Sequence, residues 1–455
     1  MRRCFSLLLA LVFGLSLAGP AAAQYDTAPP PPIDPRIVDI VDAVSADRVE
    51  ADIRALAGFG TRHTLSDTTS DTRGIGAARR WLKDQYEQIA AECGGCLEVK
   101  TQRFEVSGER RIPEATTIVN VYAIQRGTTH PDRYVIMSGD IDSRASDVMD
   151  SEIDAPGAND NASGLAGTIE AARVLSQYEF GSSIIYAGLS GEEQGLLGGE
   201  HMAEVAREEG WNIVGVLNND MIGNIEGGDG VIDNTVFRVF SQYNIPSDDD
   251  QWSERYFGGE NDSPSRNLAR YVDRMTELYI RNMDAMMIYR LDRFGRGGHH
   301  TPFNNEGFPA VRIMEAHEDY TEQHQDIRTE DGIDYGDTID EVHFDFAARM
   351  TGVNAAVLAG IAAAPPAPDS VKIGGAVRPS ATLAWKPVDD PNLAGYKIYW
   401  RKTTAPQWEK SVFVGPDVTR HTLENVIIDN YLFGVAAVGE NGNESPVVFP
   451  TSLLR

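Results

Sequence analysis

Two patterns of hydrophobic and polar positions divide the chain. Between about Ile37 and Ala363, short apolar runs rich in β-branched residues alternate with longer segments whose apolar positions recur at helical spacing. The short runs predict strands at 117–124, 134–138, 183–189, 213–218, 285–289 and 310–314. The longer segments predict helices at 72–91, 163–177, 194–208, 263–281 and 343–361. This alternation predicts an α/β domain over residues 37–363, with a mixed, mostly parallel sheet flanked by helices.

The pattern changes after a stiff proline-rich linker at 364–369. Residues 370–455 contain short apolar runs separated by turn residues, without helical periodicity, which predicts a small all-β sandwich. Trp385 on an early strand, a tyrosine-rich strand at 395–400 and Tyr431 at the start of a late strand resemble a fibronectin type III domain. Another small β-sandwich is the alternative. This part has no candidate catalytic cluster, so we interpret it as an accessory module.

The first residues have a different character. Arg2 and Arg3 precede the apolar run from Phe5 to Leu17, and three alanines end at position 23, so residues 1–23 are predicted to be a secretory signal peptide. Residues 24–36 form a proline-rich leader that we expect to be extended. No later stretch approaches about 18 consecutive apolar residues, which predicts a soluble protein that is secreted or periplasmic.

In an oxidising compartment, Cys93 and Cys96 are predicted to form a small-loop disulfide. A redox or metal-binding pair is the alternative for these two cysteines.

Composition narrows the range of partners. The 455 residues include 40 Lys and Arg against 68 Asp and Glu, a formal net charge of −28, and 42% are hydrophobic. That hydrophobic content excludes a disordered chain, and the net negative charge argues against nucleic acid and membrane surfaces as partners. The oligomeric state stays open.

Acidic residues and one histidine lie where predicted strands give way to loops. The segments are 138–143 (SGDIDS), 156–164 (PGANDNASG), 190–195 (SGEEQG), 218–220 (NND) and 320–326 (YTEQHQD). The carboxyl ends of strands in an open α/β sheet share one edge, so these segments can converge. Alone, each carboxylate is a helix cap or a loop residue, but several together repel unless a cation compensates, and such O and N ligands suit zinc.

This series of motifs resembles the zinc-dependent aminopeptidases of peptidase family M28, a group that also contains glutaminyl cyclases and glutamate carboxypeptidases. The resemblance covers nearly all of residues 40–362 and implies two zinc ions bridged by one carboxylate. It implies that the metal ligands are Asp140, Asp160, Glu193, Asp220 and His324, with Asp160 bridging. It implies that Glu192 is the general base, taking a proton from the metal-bound water, and that His300 stabilises the oxyanion.

One departure from the family pattern affects the metal count. The family has a histidine at the first position of its His-x-Asp motif, where this chain has Asp140, and His299 stands where the family has an acid. The Asp140 site could therefore hold a zinc with harder ligands, hold another divalent ion, or be empty. His317 is the rival of His324 as the metal ligand, and the sequence predicts no role for Arg62.

The sequence thus favours a secreted metal-dependent exopeptidase, an aminopeptidase that hydrolyses N-terminal residues from peptide substrates. One alternative is a glutaminyl cyclase-like enzyme with a single zinc, and the other is a non-catalytic binding protein on a peptidase scaffold.

Overall fold

The structure, a computed structural model, describes residues 28–242 and 256–454. The predicted signal peptide lies outside the described residues. The prediction that residues 24–36 are extended is wrong at the carboxyl end of this segment, because helix α1 begins at Pro35. The Asp34 side chain caps this helix by accepting a hydrogen bond from the Arg36 amide, and proline is favourable at the first helical position.

An eight-stranded sheet forms the centre of the first domain. Its strands are β1 Leu97–Val106, β2 Thr116–Gln125, β3 His130–Asp140, β4 Ser182–Leu189, β5 Asn212–Asn219, β6 Val236–Ser241, β7 Asp284–Ile288 and β8 Ala310–Glu315. Their order is β1-β2-β4-β3-β5-β8-β6-β7. The four central strands β4, β3, β5 and β8 are parallel, whereas β1, β2 and the β6/β8 pairing are antiparallel. The predicted mixed sheet is confirmed.

Helices cover the sheet. They are α1 Pro35–Asp42, α2 Ala46–Ala57, α3 Gly74–Glu92, α4 Gly164–Leu175, α5 Glu192–Gly195, α6 Leu197–Glu208, α7 Gly259–Asp262, α8 Pro264–Tyr279, α9 His300–Asn305 and α10 Phe344–Ala363. Helix α10 is long and apolar enough to cross a membrane by length and composition, but 89% of its apolar window is buried within the fold. It therefore serves as a core helix, packed against α1, α4 and α8.

The helix predicted at 194–208 begins earlier and is interrupted. Leu196 has a left-handed backbone (φ 65°) that separates α5 from α6, and the Leu196 amide donates to the carbonyl of Glu192. The short helix α5 consequently begins with Glu192 and Glu193 immediately after the turn that follows β4.

The carboxy-terminal part consists of two small sheets. Its strands are β11 Lys372–Gly374, β12 Ala381–Ala384, β13 Leu393–Lys402, β14 Lys410–Val414, β15 Arg420–Leu423, β16 Tyr431–Gly439 and β17 Ser452–Leu453, after a hairpin of β9 Arg328–Glu330 and β10 Ile333–Tyr335 in the first domain. One sheet has the order β15-β12-β11-β17 and the other β14-β13-β16. The fibronectin type III assignment stays a prediction.

Two polar contacts join the two parts. Arg401 of β13 lies 2.9 Å from Asp262, and His130 lies 2.7 Å from Asp390. The Cys93–Cys96 disulfide is present, which confirms that prediction.

Candidate metal centre

The carboxyl ends of the parallel strands form one edge of the sheet, and the predicted residues gather there. Asp140 ends β3, Glu192 and Glu193 follow β4, and Asp220 follows β5. A cavity of about 250 Å³ opens at this edge. Its wall includes Asp160, Glu192, Glu193, Asp220 and His324.

Three of the predicted ligands form a compact cluster. Nε2 of His324 lies 3.0 Å from Oδ2 of Asp160 and 3.1 Å from Oε1 of Glu193. Within residues 28–242 and 256–454, this is the one group of three or more His, Cys, Asp or Glu side chains whose metal-binding atoms lie within 4.8 Å of one another. One imidazole nitrogen with two carboxylate oxygens is a ligand set found for zinc, so these residues fit the ion. His317 is outside the cluster, which favours His324 of the two histidines.

Neighbouring groups hold Asp160 in its charged form. Burial opposes ionisation of Asp160, but the hydrogen bonds from His324 and Gln323 and the charge of Arg312 hold its pKa well below the usual range. Gln323 Nε2 donates to Asp160 Oδ2 over 3.1 Å. A carboxylate that stays ionised at neutral pH is ready to bind a cation.

Arg144 contacts two residues of the cluster, which the sequence did not predict. Its Nε lies 2.9 Å from Oε2 of Glu193, and its Nη2 lies 2.7 Å from Nδ1 of His324. A guanidinium only donates, so Nδ1 accepts in this arrangement and Nε2 carries the proton. Zinc at Nε2 requires the lone pair there and a proton on Nδ1. Arg144 would therefore give up His324 and keep Glu193 when zinc binds.

The other two predicted ligands do not join the cluster. Oδ2 of Asp140 accepts from Nδ2 of Asn161 over 2.6 Å, and its Oδ1 lies 3.4 Å from Nε2 of His299. Oδ2 of Asp220 lies 2.7 Å from Nη2 of Arg312, a buried guanidinium. In the described chain, Asp140 and Asp220 therefore do not form a second compact ligand group with Asp160.

Glu192, the predicted general base, lies beside the cluster. It lies in the cavity wall next to the ligand Glu193 but is outside the ligand cluster. Burial and the neighbouring carboxylates, Glu193 first among them, raise the pKa of Glu192 well above its usual range. A carboxylate with a raised pKa is a stronger base, and a cation bound nearby would offset the repulsion that raises it.

Asp142 holds the segment that carries Glu192 and Glu193. Its Oδ1 accepts from the amides of Gly191 (2.7 Å) and Glu192 (3.3 Å), and its Oδ2 accepts from the amide of Glu193 (3.1 Å) and from Oγ1 of Thr64 (3.1 Å). These amides have no partner within the helix, because they belong to the N-cap and the first turn of α5. The sequence predicted that the segment containing Asp142 lies near the site, but it did not predict the contact between Asp142 and these amides.

Two further buried carboxylates fix the loop that carries Asp160. Asp337 accepts from the amides of Asn159 and Asp160 over 2.7 and 2.6 Å. Glu315, at the end of β8, accepts from Nδ2 of Asn159 with both oxygens at 3.0 Å. Both acids are distant in sequence from 159–160, so only the folded chain shows these contacts.

The structure gives Arg62 a role. Its guanidinium is fully buried and donates to the carbonyl oxygens of Ile141 (2.8 Å), Gly157 (2.9 Å), Leu56 (3.2 Å) and Pro156. Burial lowers its pKa to about 10, so it stays protonated at neutral pH. Arg62 therefore connects the end of β3 to the loop that precedes Asp160.

His300 is recessed. It is fully buried, its Nε2 lies 2.8 Å from the carbonyl oxygen of Leu291, and it is not in the cavity wall. Burial lowers its pKa to about 4, so the ring is neutral. Its predicted contact with an oxyanion stays a prediction.

Comparison with known proteins identifies the family. Residues 120–344 match the profile of Peptidase family M28. A "Probable zinc metalloprotease" of Pyrenophora teres f. teres is 41% identical over 436 residues, covering 95% of this chain and 90% of the relative. This chain belongs to peptidase family M28. Another "Probable zinc metalloprotease", from Leptosphaeria maculans, is 42% identical over 423 residues, covering 92% and 98% of the two chains.

Solved structures support the fold of this M28 member. The LapA aminopeptidase of Legionella pneumophila superimposes with a TM-score of 0.54 at 18% identity, covering 74% of this chain and 77% of that one. LapB of the same organism gives 0.53 at 16% identity, covering 72% and 76%. The family and the relatives support a zinc metallopeptidase.

Proposed function

We propose that this protein is a zinc-dependent aminopeptidase that removes N-terminal residues from peptides. The observation that carries the proposal is the pair at the start of α5, where Glu193 belongs to the ligand cluster and Glu192 lines the same cavity outside it. Adjacent residues thus separate two tasks, holding the metal and moving the proton.

Each side chain has a definable part in hydrolysis. Asp160, Glu193 and His324 would hold zinc, which when bound supplies Lewis-acid polarisation and lowers the pKa of water. Glu192 accepts a proton from the attacking water and returns it to the leaving amine. Asp142 positions both glutamates through their backbone amides, and Arg144 contacts the Glu193 carboxylate.

We further propose one zinc per chain, at the Asp160/Glu193/His324 cluster. The support is that Asp160, Glu193 and His324 are the one compact ligand group in the described residues, whereas Oδ2 of Asp220 pairs with Arg312 and Oδ2 of Asp140 accepts from Asn161. Metal analysis of the purified protein and of Asp140→His tests this count. One zinc in the wild type is expected, and two would contradict it.

A substrate experiment tests the reaction. The zinc-loaded full chain is incubated with an aminoacyl chromogenic amide, and the same chain treated with a chelator and then resupplied with zinc serves as the control. Zinc-dependent release of the chromophore is expected. A single three-ligand cluster also favours a second candidate, a glutaminyl cyclase, and cyclisation of an N-terminal Gln peptide without hydrolysis of the amide would establish that reaction instead.

We also propose that the protein acts outside the cytoplasm. The signal-like sequence at 1–23 and the Cys93–Cys96 disulfide support this, because disulfides persist in oxidising compartments. Mass spectrometry of the exported protein, with residues 1–23 absent, is the expected result.

A further inference from the structure

The cavity next to the metal cluster is rich in arginine. Its wall carries four carboxylates and five guanidinium groups, the latter from Arg111, Arg144, Arg293, Arg296 and Arg312. A divalent ion at the cluster would leave this wall with a formal excess of three positive charges. The rest of the chain is strongly acidic, with a net charge of −28, so this cavity is an exception to the overall charge.

Partners within the fold account for three of the five arginines. Arg144 pairs with Glu193 over 2.9 Å, and Arg312 pairs with Asp220 over 2.7 Å and with Asp292 over 2.8 Å.

Arg293 is likewise paired. It lies 3.3 Å from Asp292 and also contacts Glu318. The ion pairs of Arg144, Arg312 and Arg293 lie within the protein, so these three arginines need no further anion to balance their charge.

Arg111 and Arg296 differ from the other three. In the described ranges, neither forms an ion pair with a carboxylate, although both line the cavity. Nη1 of Arg111 donates to the backbone carbonyl of Glu193 over 2.5 Å, which places this guanidinium beside the metal-binding segment. Arg296 is exposed at the rim, in the loop between β7 and α9.

We infer that Arg111 and Arg296 bind a carboxylate of the substrate close to the scissile bond, an inference that rests on the proposed peptidase function. Guanidinium groups suit carboxylates because they present several donors in a planar fork. The carboxylate has two sources in a peptide substrate. It is the side chain of an acidic N-terminal residue, or it is the free C-terminus of a dipeptide.

The competing explanation is that all five arginines only neutralise the acids of the site. In that case a neutral substrate would be hydrolysed at the same rate as an acidic one. Removing Arg296 would then change kcat/KM by the same factor for both substrates, because only the electrostatic field in the cavity would change.

The experiment compares kcat/KM within two matched substrate pairs, using the zinc-loaded full chain. Glu anilide against Gln anilide tests the side-chain source, and Leu-Ala against Leu-Ala amide tests the C-terminal source. We expect the charged member of one pair to be preferred by about tenfold or more, the size of a charge-assisted hydrogen bond. Equal rates within both pairs would overturn the inference and leave the peptidase function standing.

Variants assign the preference to residues. Arg296→Gln and Arg111→Gln should bring the rates of the two substrates in the preferred pair closer together. Arg110→Gln is the matched control, since Arg110 is exposed, adjacent in sequence and outside the cavity wall. If Arg110→Gln lowers the preference as much as Arg296→Gln, general charge and not a binding contact is responsible, and the inference fails.

A binding measurement separates this inference from the proposed function. Calorimetry with free glutamate and glutamine reports carboxylate binding without turnover. Tighter binding of glutamate that is lost in Arg296→Gln, with no hydrolysis of any substrate, would retain the anion site and reject the peptidase. Equal binding of the two amino acids by an active enzyme would, together with equal rates, reject the anion site.

Discussion

Replacing Asp142 by asparagine is expected to damage the metal site more than the fold. The Asp142 carboxylate is 1% exposed and accepts three backbone amides of residues 191–193. An asparagine keeps one acceptor oxygen and directs its NH2 group at an amide that then lacks a partner. Such an amide costs about 1–3 kcal/mol. Burial raises the pKa of Asp142, so losing the charge also removes a desolvation cost, and the net loss in unfolding free energy is expected to be about 1–2 kcal/mol.

The local consequence is larger, because the three amides orient the metal ligand and the base. Losing a group that orients a metal ligand typically lowers metal affinity or activity by about 10–100-fold, and we expect this range for Asp142→Asn. Chelator competition measures zinc affinity, an aminoacyl amide measures kcat/KM, and urea unfolding followed by circular dichroism measures stability.

Asp52→Asn is the matched control for this experiment. Asp52 is a buried aspartate on α2 that pairs with Arg173 at 2.6 Å, and it is not part of the cavity wall. Its replacement should lower stability and leave zinc affinity unchanged. Wild-type zinc affinity and turnover in Asp142→Asn would refute the positioning role.

Two further predictions concern buried charges away from the cluster. Arg62→Met leaves up to four carbonyl oxygens without a donor. It should therefore lower the unfolding free energy, measured by urea unfolding, by about 2–4 kcal/mol. A change below about 0.5 kcal/mol would contradict the anchoring role. Glu444→Gln tests the contact between the two domains. Burial opposes ionisation of Glu444, but the hydrogen bonds from Arg274 outweigh it and lower its pKa below that of the unfolded chain. The pair therefore stabilises the fold above about pH 4.3, the unfolded value, and this contribution declines as pH falls through the lower folded pKa. We expect Glu444→Gln to cost about 3–5 kcal/mol at pH 7 and less at pH 3, as measured by thermal unfolding, and a cost that grows as pH falls would contradict the sign.

The sequence predicted the parts of this molecule that are contiguous. Six of the eight strands of the large sheet coincide with short apolar runs, and Glu192 and Glu193 stand in one short motif, so both could be found by inspection. Strand β1 was missed because it is an edge strand with a mostly exposed, polar face, which weakens the apolar signal. Strand β6 is short and was missed as well.

The partners of the site could not be predicted, because they come from distant segments. Arg144 and Arg312 reach Glu193 and Asp220 from other parts of the chain, and their local sequence does not show which carboxylate each one contacts. The contact between Arg312 and Asp220 also bears on the number of metal ions, which the sequence leaves open because Asp140 stands in place of the family histidine. Motifs thus predicted which residues gather at this edge of the sheet, and only the fold shows what surrounds them.

Zinc content and turnover measured together in Glu192→Gln and Glu193→Gln test the central claim most directly. The two residues are adjacent on α5, so the variants are matched in chemistry and position. We predict that Glu192→Gln retains the zinc of the wild type and loses turnover of an aminoacyl amide by about 100-fold or more, whereas Glu193→Gln loses the zinc itself. Wild-type turnover in Glu192→Gln, or full zinc content in Glu193→Gln, would contradict this division of roles.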